Sequence, residues 1–201
     1  MGTIIEAAEP DAIRRYSNVA VALHWITALV VLAQVVIGFT FAEFMEKGPE
    51  RSTLFAWHKT LGALILVLTL IRLAYRLANP PPPFPPGLPQ WRKTAATLNQ
   101  YAFYFLLIVL PLTGLIAVSG MSERGMTSLV GGILIPVIPG ISKSAGATSG
   151  DLHVVLVYTT LALLVIHVAA AIFQQFVEHD PVAGRMPPFQ AESRDTVIGQ
   201  G

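Results

Sequence analysis

The stretch Asp151–Phe176, DLHVVLVYTTLALLVIHVAAAIFQQF, is apolar enough for a membrane helix and contains two histidines, His153 and His167. Fourteen residues separate them. At about 100° per residue this is about 1400°, which is about 40° short of four turns, so both imidazoles leave the same helix face. They lie roughly 21 Å apart along the axis, whereas a bilayer core is about 30 Å thick. One imidazole therefore lies toward each side of the membrane, a geometry typical of two stacked metal centres.

The composition predicts an integral membrane protein. Of the 201 residues, 53% are hydrophobic and only 12% are charged, and the mean hydropathy is +0.61. The formal net charge is +1, and the cationic residues lie outside the apolar runs or at their edges, so nucleic acid is not an expected partner. The chain has no cysteine, which excludes disulfides, iron–sulfur clusters, thiolate-bound haem and cysteine zinc sites.

Four apolar runs predict an all-α membrane protein with a four-helix bundle. They cover roughly Val19–Phe41, Leu54–Leu77, Asn99–Ser119 and Leu152–Phe176. The expected organisation is an N-terminal segment over residues 1–18, a membrane domain over residues 19–177 and a C-terminal tail over residues 178–201, whose polar end AESRDTVIGQG is expected to be disordered. The first eighteen residues lack the pattern of a cleavable signal, so we expect the first run to be retained.

The connections between the runs differ in character. The proline-rich stretch Asn79–Trp91 predicts an extended, stiff linker. In the segment between the third and fourth runs, the apolar part GGILIPVIPGI is too short and too interrupted by Gly and Pro to cross the membrane, so we expect the segment to lie at the interface. The third run has no histidine. Pro111 is expected to kink it, and its expected role is packing.

The distribution of Lys and Arg predicts that both termini are cytoplasmic. One side of the predicted topology has eight cationic residues, Arg14, Arg15, Arg72, Arg76, Arg92, Lys93, Arg185 and Arg194. The other side has five, Lys47, Arg51, Lys59, Arg124 and Lys143.

This topology arranges the membrane histidines in two pairs of matching depth. His24 pairs with His167 on the inner side, and His58 pairs with His153 on the outer side. An imidazole inside a membrane is costly without a partner, and iron is a good one. Two imidazoles on one haem iron leave no open coordination position, which suits electron transfer. We therefore predict that these four residues are metal ligands holding two haems.

Other interpretations of the polar residues remain open. A lone histidine in a membrane helix is more often a packing or quinone-site residue, and ligands about 21 Å apart cannot converge on one zinc ion. His179 is expected to be solvated or to face the headgroups. The arginines Arg15, Arg72 and Arg76 are expected to anchor the helix ends, and each is also a candidate for binding a haem propionate. Lys59, beside His58, is a candidate for steering an anionic substrate.

Several segments together resemble the bacterial cytochrome b561 family. They are RYSNVAVALHW, FAWHKTLGALILVLTLIRLAYRL, PPPPFPP, YAFYFLLIVLPLTGLI, LHVVLVYTTLALLVIHVAAA and HDPVAGRMPP, and they extend over roughly Arg14–Pro188. The resemblance implies a multi-pass protein of the bacterial inner membrane with two haems b. His24 and His167 would bind the cytoplasmic haem, and His58 and His153 would bind the periplasmic one. It also implies superoxide:ubiquinone oxidoreductase activity.

Two positions depart from the pattern of many relatives. Those relatives have a histidine where this chain has Asn99 and Gln100, and a histidine pair where it has Gln174 and Gln175. These positions are expected near the inner surface, where a quinone headgroup would be bound. A glutamine can hydrogen-bond a quinone but cannot transfer a proton to it.

The function predicted from the sequence is transmembrane electron transfer from superoxide or another small periplasmic donor to ubiquinone. An alternative is that the chain is the cytochrome b subunit of a complex with a dehydrogenase or hydrogenase. A third possibility is a membrane protein without haem, in which the histidines bind quinone or relay protons. The expected partners are lipid, quinone and an electron donor that is either a small anion or a protein.

Overall fold

A computed structural model of the protein describes residues 15–84 and 87–178. It confirms an all-α protein with four long apolar helices. The helices are α1 (Asn18–Glu43), α2 (Pro49–Ala78), α3 (Gln90–Met121) and α4 (Lys143–Phe176). All four are long and apolar enough to cross a membrane. The predictions for residues 1–14, for His179 and for the tail that follows it lie outside the described residues.

Three helices begin earlier than their apolar runs predicted. α2 begins at Pro49, α3 at Gln90 and α4 at Lys143. Apolar character identifies only the part of a helix that crosses the hydrocarbon core, and backbone hydrogen bonding continues into the polar region beyond it. Pro49 occupies the first turn of α2, where its missing N–H costs nothing. Ser142 caps α4 by accepting a hydrogen bond from the Ala145 N–H at 3.1 Å.

The interior of the bundle contains small and hydroxyl-bearing side chains, whereas many large apolar side chains face outward. The buried polar residues are Thr27, Thr69, Thr113, Ser119, Ser149 and Thr160. Several of these hydroxyls donate to the carbonyl four residues earlier, as Thr27 does to Leu23 at 2.6 Å and Thr160 to Leu156 at 2.8 Å. The hydroxyls of Thr27 and Thr160 therefore have hydrogen-bond partners within their own helices and need no water. Outward-facing Leu, Val, Ile and Phe suit contact with lipid.

The helices α3 and α4 approach most closely at Gly120 and Gly146. A methyl group added to Gly120 would lie 2.7 Å from the Cα atom of Gly146 and 2.8 Å from the Ser142 carbonyl oxygen. Seven residues after Gly146, α4 presents His153. Between these two positions, the Ser149 hydroxyl donates to the Thr113 carbonyl of α3 at 2.9 Å. The close backbone approach therefore fixes α4 against α3 next to a predicted ligand.

The connection between α3 and α4 contains a short antiparallel hairpin that the sequence did not predict. Strand β1 (Met126–Ser128) pairs with β2 (Leu134–Pro136), and Gly131 turns the chain between them at φ 75°. The hairpin lies against α2, where the Val130 N–H donates to the Thr60 hydroxyl at 3.1 Å. The linker after α2 contains neither helix nor strand over residues 79–84 and 87–89, as its prolines predicted. α3 continues through Pro111 as an unbroken helix.

Candidate functional site

The structure brings the four membrane histidines together in two pairs. Each pair takes one ring from the α1–α2 half of the bundle and one from the α3–α4 half. The rings of His24 in α1 and His167 in α4 have centroids 6.5 Å apart. Those of His58 in α2 and His153 in α4 have centroids 6.2 Å apart. These are the pairs that the sequence predicted. Below, the two ends of the bundle are called the His24 end and the His58 end.

Both separations fit two imidazoles bound to opposite faces of one metal ion. With each nitrogen about 2 Å from the metal and each ring centroid about 1 Å further out, the two centroids are about 6 Å apart. No three His, Asp or Glu side chains cluster within residues 15–84 and 87–178. Each pair therefore supplies two ligands, and the remaining ligands of an octahedral ion must come from elsewhere, as they do from a porphyrin.

The His153 ring is oriented by α3. Its Nδ1 lies 3.0 Å from the Leu110 carbonyl oxygen and 3.1 Å from the Thr113 hydroxyl. A carbonyl only accepts, so Nδ1 carries the hydrogen and Nε2 keeps its lone pair free. A hydrogen bond from the second nitrogen to a carbonyl is the usual support of a metal-bound histidine. The chemistry of His153 therefore fits an axial ligand.

The His167 ring also has its hydrogen-bond partner on α3. Its Nδ1 lies 3.0 Å from the terminal amide of Asn99, and the Phe103 ring packs edge-on against it with centroids 5.2 Å apart. The predicted role of α3 was packing alone, which is incomplete. α3 has no histidine, yet it provides the partner of both histidines of α4.

The other two histidines have their partners within the α1–α2 half of the bundle. The Gln34 amide of α1 lies 3.3 Å from one ring nitrogen of His58 and donates to the His58 carbonyl at 3.0 Å. The second ring nitrogen of His58 is buried and has no hydrogen-bond partner within the described chain. The Arg72 guanidinium of α2 lies 3.4 Å from Nδ1 of His24. Each half thus orients its own two imidazoles.

Two glycines give the imidazoles of the His58 end the space they occupy. A methyl group added to Gly38 of α1 would lie 3.1 Å from Cε1 of His58. One added to Gly114 of α3 would lie 3.3 Å from Cε1 of His153. These distances are tighter than ordinary contacts, so any larger residue would shift a ring. The His58 ring therefore packs against the backbone of Gly38, and the His153 ring packs against the backbone of Gly114.

Lys59 lies at the His58 end, but its ammonium group is engaged by the hairpin. Nζ donates to the Thr127 hydroxyl of β1 at 2.7 Å and lies 4.9 Å from the centroid of the Phe55 ring. An ammonium group has three N–H donors, and this hydrogen bond uses one of them. The hairpin therefore holds this cation beside a predicted ligand.

The three candidate arginines have different positions. Arg72 contacts His24, and Arg72 and Arg76 both line a cavity of about 50 Å³ at the His24 end. Arg15 is exposed just before α1 and is not joined to His24 or His167 by a hydrogen bond in the described chain. The remaining lining residues of the cavity are Tyr16, Ala20, Leu23, Tyr75, Asn79, Pro81, Gln100 and Tyr104.

The positions that depart from the family pattern do not share one role. Asn99 bonds to His167, whereas Gln100 lines the cavity beside Arg72. Gln174 and Gln175 are half-buried near the end of α4. Sequence reasoning considered Asn99 only in relation to quinone, and it missed Gln34, Thr113 and the two glycines beside the rings. A signal was available for Gln34, because an amide within an apolar membrane run needs a hydrogen-bond partner.

The chain is similar in sequence to several known proteins. A family model described as prokaryotic cytochrome b561 matches residues 15–188. Cytochrome b561 homolog 1 of Escherichia coli K12 is 28% identical, covering 87% of this chain and 97% of that protein. Cytochrome b561 homolog 2 of the same organism is 25% identical, covering 86% and 90%. A Yersinia pestis protein named probable superoxide oxidase CybB is 25% identical, covering 87% and 97%. Because the family model matches most of the length of this chain, the chain belongs to the prokaryotic cytochrome b561 family.

Proposed function

We propose that the protein carries electrons across the bacterial inner membrane through two haems b, from superoxide or another small donor outside to ubiquinone. The family implies haem b. The observation that carries the proposal is the presence of two imidazole pairs, at 6.5 and 6.2 Å, held between the same two halves of the bundle. Haem b, when bound by two imidazoles, supplies a one-electron couple with no open coordination position.

In this proposal each pair binds one haem. His24 and His167 would hold the haem at the His24 end, and His58 and His153 would hold the haem at the His58 end. The excess of Arg and Lys predicted for the His24 side, eight against five, favours a cytoplasmic location for that end. The His58 end then faces the periplasm, and an electron entering there leaves at the opposite surface.

Arg72 is proposed to bind a haem propionate. A guanidinium only donates hydrogen bonds, so its contact with Nδ1 of His24 requires that nitrogen to accept. Once Nε2 of His24 binds a metal, Nδ1 carries the hydrogen and no longer accepts. The guanidinium then needs another acceptor inside the membrane, and a carboxylate is the best one available. Arg76, which lines the same cavity, is positioned to share this role, and Arg15 is the weaker candidate.

The proposed donor and acceptor follow from the two ends. The Yersinia relative is named probable superoxide oxidase, and Lys59 places a cation beside His58, where an anionic donor would be attracted. Two superoxide ions would each lose one electron and become dioxygen, while ubiquinone would take up two electrons and two protons. At the His24 end, Gln100 and three tyrosines line the cavity and provide hydrogen-bonding groups for a quinone headgroup.

The experiment that tests the proposal is a redox-titrated absorption spectrum of the purified protein, combined with haem quantification as the pyridine haemochrome. We expect about two haems b per chain and two resolvable reduction steps. A preparation that stays colourless despite ample haem supply would overturn the proposal and favour histidines that bind quinone or relay protons. One haem per chain would contradict the arrangement in two pairs.

Replacing Lys59 with alanine is expected to slow electron entry from superoxide and to reduce the salt dependence of that rate. The reason is that long-range attraction of an anion is screened by salt, so a lost cation lowers both quantities. Stopped-flow reduction by superoxide at several ionic strengths measures them. Thr127→Val is the matched control, because it removes the Nζ hydrogen bond and keeps the charge. An unchanged salt dependence in Lys59→Ala would contradict steering.

A further inference from the structure

The two histidines of α4 differ in the group that faces Nδ1 of the ring. His153 bonds to the main-chain carbonyl of Leu110 at 3.0 Å, whereas His167 bonds to the side chain of Asn99 at 3.0 Å. We propose that Asn99 is the positioning residue of the His24 end, and that its hydrogen bond to His167 sets the midpoint potential of the haem bound there. This inference depends on the proposed function, because it requires His167 to be a haem ligand.

The geometry gives Asn99 the right chemistry. In the structure the side-chain nitrogen of Asn99 lies 3.0 Å from Nδ1 of His167, so Nε2 is the ring nitrogen that remains for a metal. A neutral imidazole bound at Nε2 carries its hydrogen on Nδ1 and needs an acceptor. A half-turn of the Asn99 carboxamide exchanges its nitrogen and oxygen at the same place, so the oxygen can accept this hydrogen. The Phe103 ring, one turn along α3, packs edge-on against the same imidazole. Together these contacts hold the orientation of the ring, and the carboxamide oxygen is the acceptor that a metal-bound His167 would need.

The strength of this acceptor should control the potential. A stronger acceptor for Nδ1–H gives the imidazole more anionic character and makes it a more basic ligand. A more basic ligand stabilises ferric iron relative to ferrous iron, which lowers the midpoint potential. A carboxamide is a weaker acceptor than a carboxylate and a stronger one than a hydrocarbon. Asn99 therefore holds the potential at an intermediate value that a single substitution can move in either direction.

The test uses Asn99→Asp and Asn99→Leu in the full-length haem-loaded protein. The midpoint potentials are measured by redox titration, and the ferric ligand field is followed by electron paramagnetic resonance. We expect Asn99→Asp to lower one midpoint potential and Asn99→Leu to raise the same one. The midpoint potential that shifts should belong to the reduction step that is lost in His24→Ala. The midpoint potential of the other reduction step should stay at its wild-type value. Asn99→Asp is nearly isosteric, so it remains informative if Asn99→Leu does not accumulate.

The matched control is Asn18→Asp, which adds the same charge at an exposed position near the start of α1. A shift in Asn99→Asp no larger than in Asn18→Asp would mean that only the added charge matters, and this would overturn the inference. Shifts of the same sign in Asn99→Asp and Asn99→Leu would also overturn it. If His167→Ala keeps both haems, the proposed function itself fails, and this result is distinct from unchanged potentials in a protein that needs His167.

Discussion

Replacing His58 with alanine is expected to remove one haem, and replacing His24 is expected to remove the other, so that each variant retains about one haem per chain. The two residues belong to different pairs, with ring partners His153 and His167. Loss of one imidazole removes half of the protein ligands of one iron and leaves the other pair intact. Pyridine haemochrome quantification gives the stoichiometry, and redox titration shows which reduction step remains.

The control for these variants is His179→Ala, which is the same substitution at the one histidine that the sequence predicts to be outside the membrane. It should retain both haems. The two site variants should also differ from each other, since each keeps the reduction step that the other loses. Loss of both haems in His24→Ala and His58→Ala, with the bundle still folded by circular dichroism, would show that the two pairs are not independent centres.

Replacing Gly120 with alanine is expected to destabilise the bundle by about 1–3 kcal/mol, as overpacked contacts in well-packed interiors do. The added methyl group would meet the backbone of α4, at 2.7 Å from the Gly146 Cα atom and 2.8 Å from the Ser142 oxygen. Backbone cannot rotate aside as a side chain can, so α4 must move away from α3. Thermal unfolding in detergent, followed by circular dichroism, should show a lower midpoint than the wild-type protein.

Gly150→Ala is the matched control for this prediction. Gly150 lies in α4, one turn after Gly146. A methyl group added to it would meet only the Ala117 methyl at 3.8 Å, which is an ordinary contact. Because alanine is favoured over glycine inside a helix by about 1 kcal/mol, this variant should be as stable as the wild-type protein or slightly more stable. Equal unfolding midpoints for Gly120→Ala and Gly150→Ala would contradict the importance of the close helix contact.

Most of the fold could be predicted from the sequence, because a bilayer imposes a minimum apolar length that is directly visible in Val19–Phe41 and its counterparts. The early starts of α2, α3 and α4 could not, because a helix that continues into the headgroup region has no apolar signal. The hairpin between α3 and α4 was also missed. Its strands are three residues long, too short for a periodic pattern to indicate them.

The pairing of the histidines could be predicted because depth along a membrane helix follows from residue number alone. Their hydrogen-bond partners could not, because these depend on how each helix is rotated about its axis. Asn99 was associated with quinone from its position in the chain, and only the packing of α3 shows it against His167. The Leu110 carbonyl belongs to the backbone, so no residue type indicates it.

The distribution of these partners has a consequence for biogenesis. Gln34 and Arg72 orient the imidazoles of α1 and α2, and α3 orients both imidazoles of α4. The α1–α2 half and the α3–α4 half of the bundle therefore each orient their own imidazoles, while every imidazole pair takes one ring from each half. A porphyrin held by such a pair would add to the contacts between the halves, so that cofactor binding and assembly would be thermodynamically linked. Cells starved of porphyrin should accumulate protein in which the two halves of the bundle are loosely joined. Quality-control proteases would degrade this form faster than the haem-bound protein.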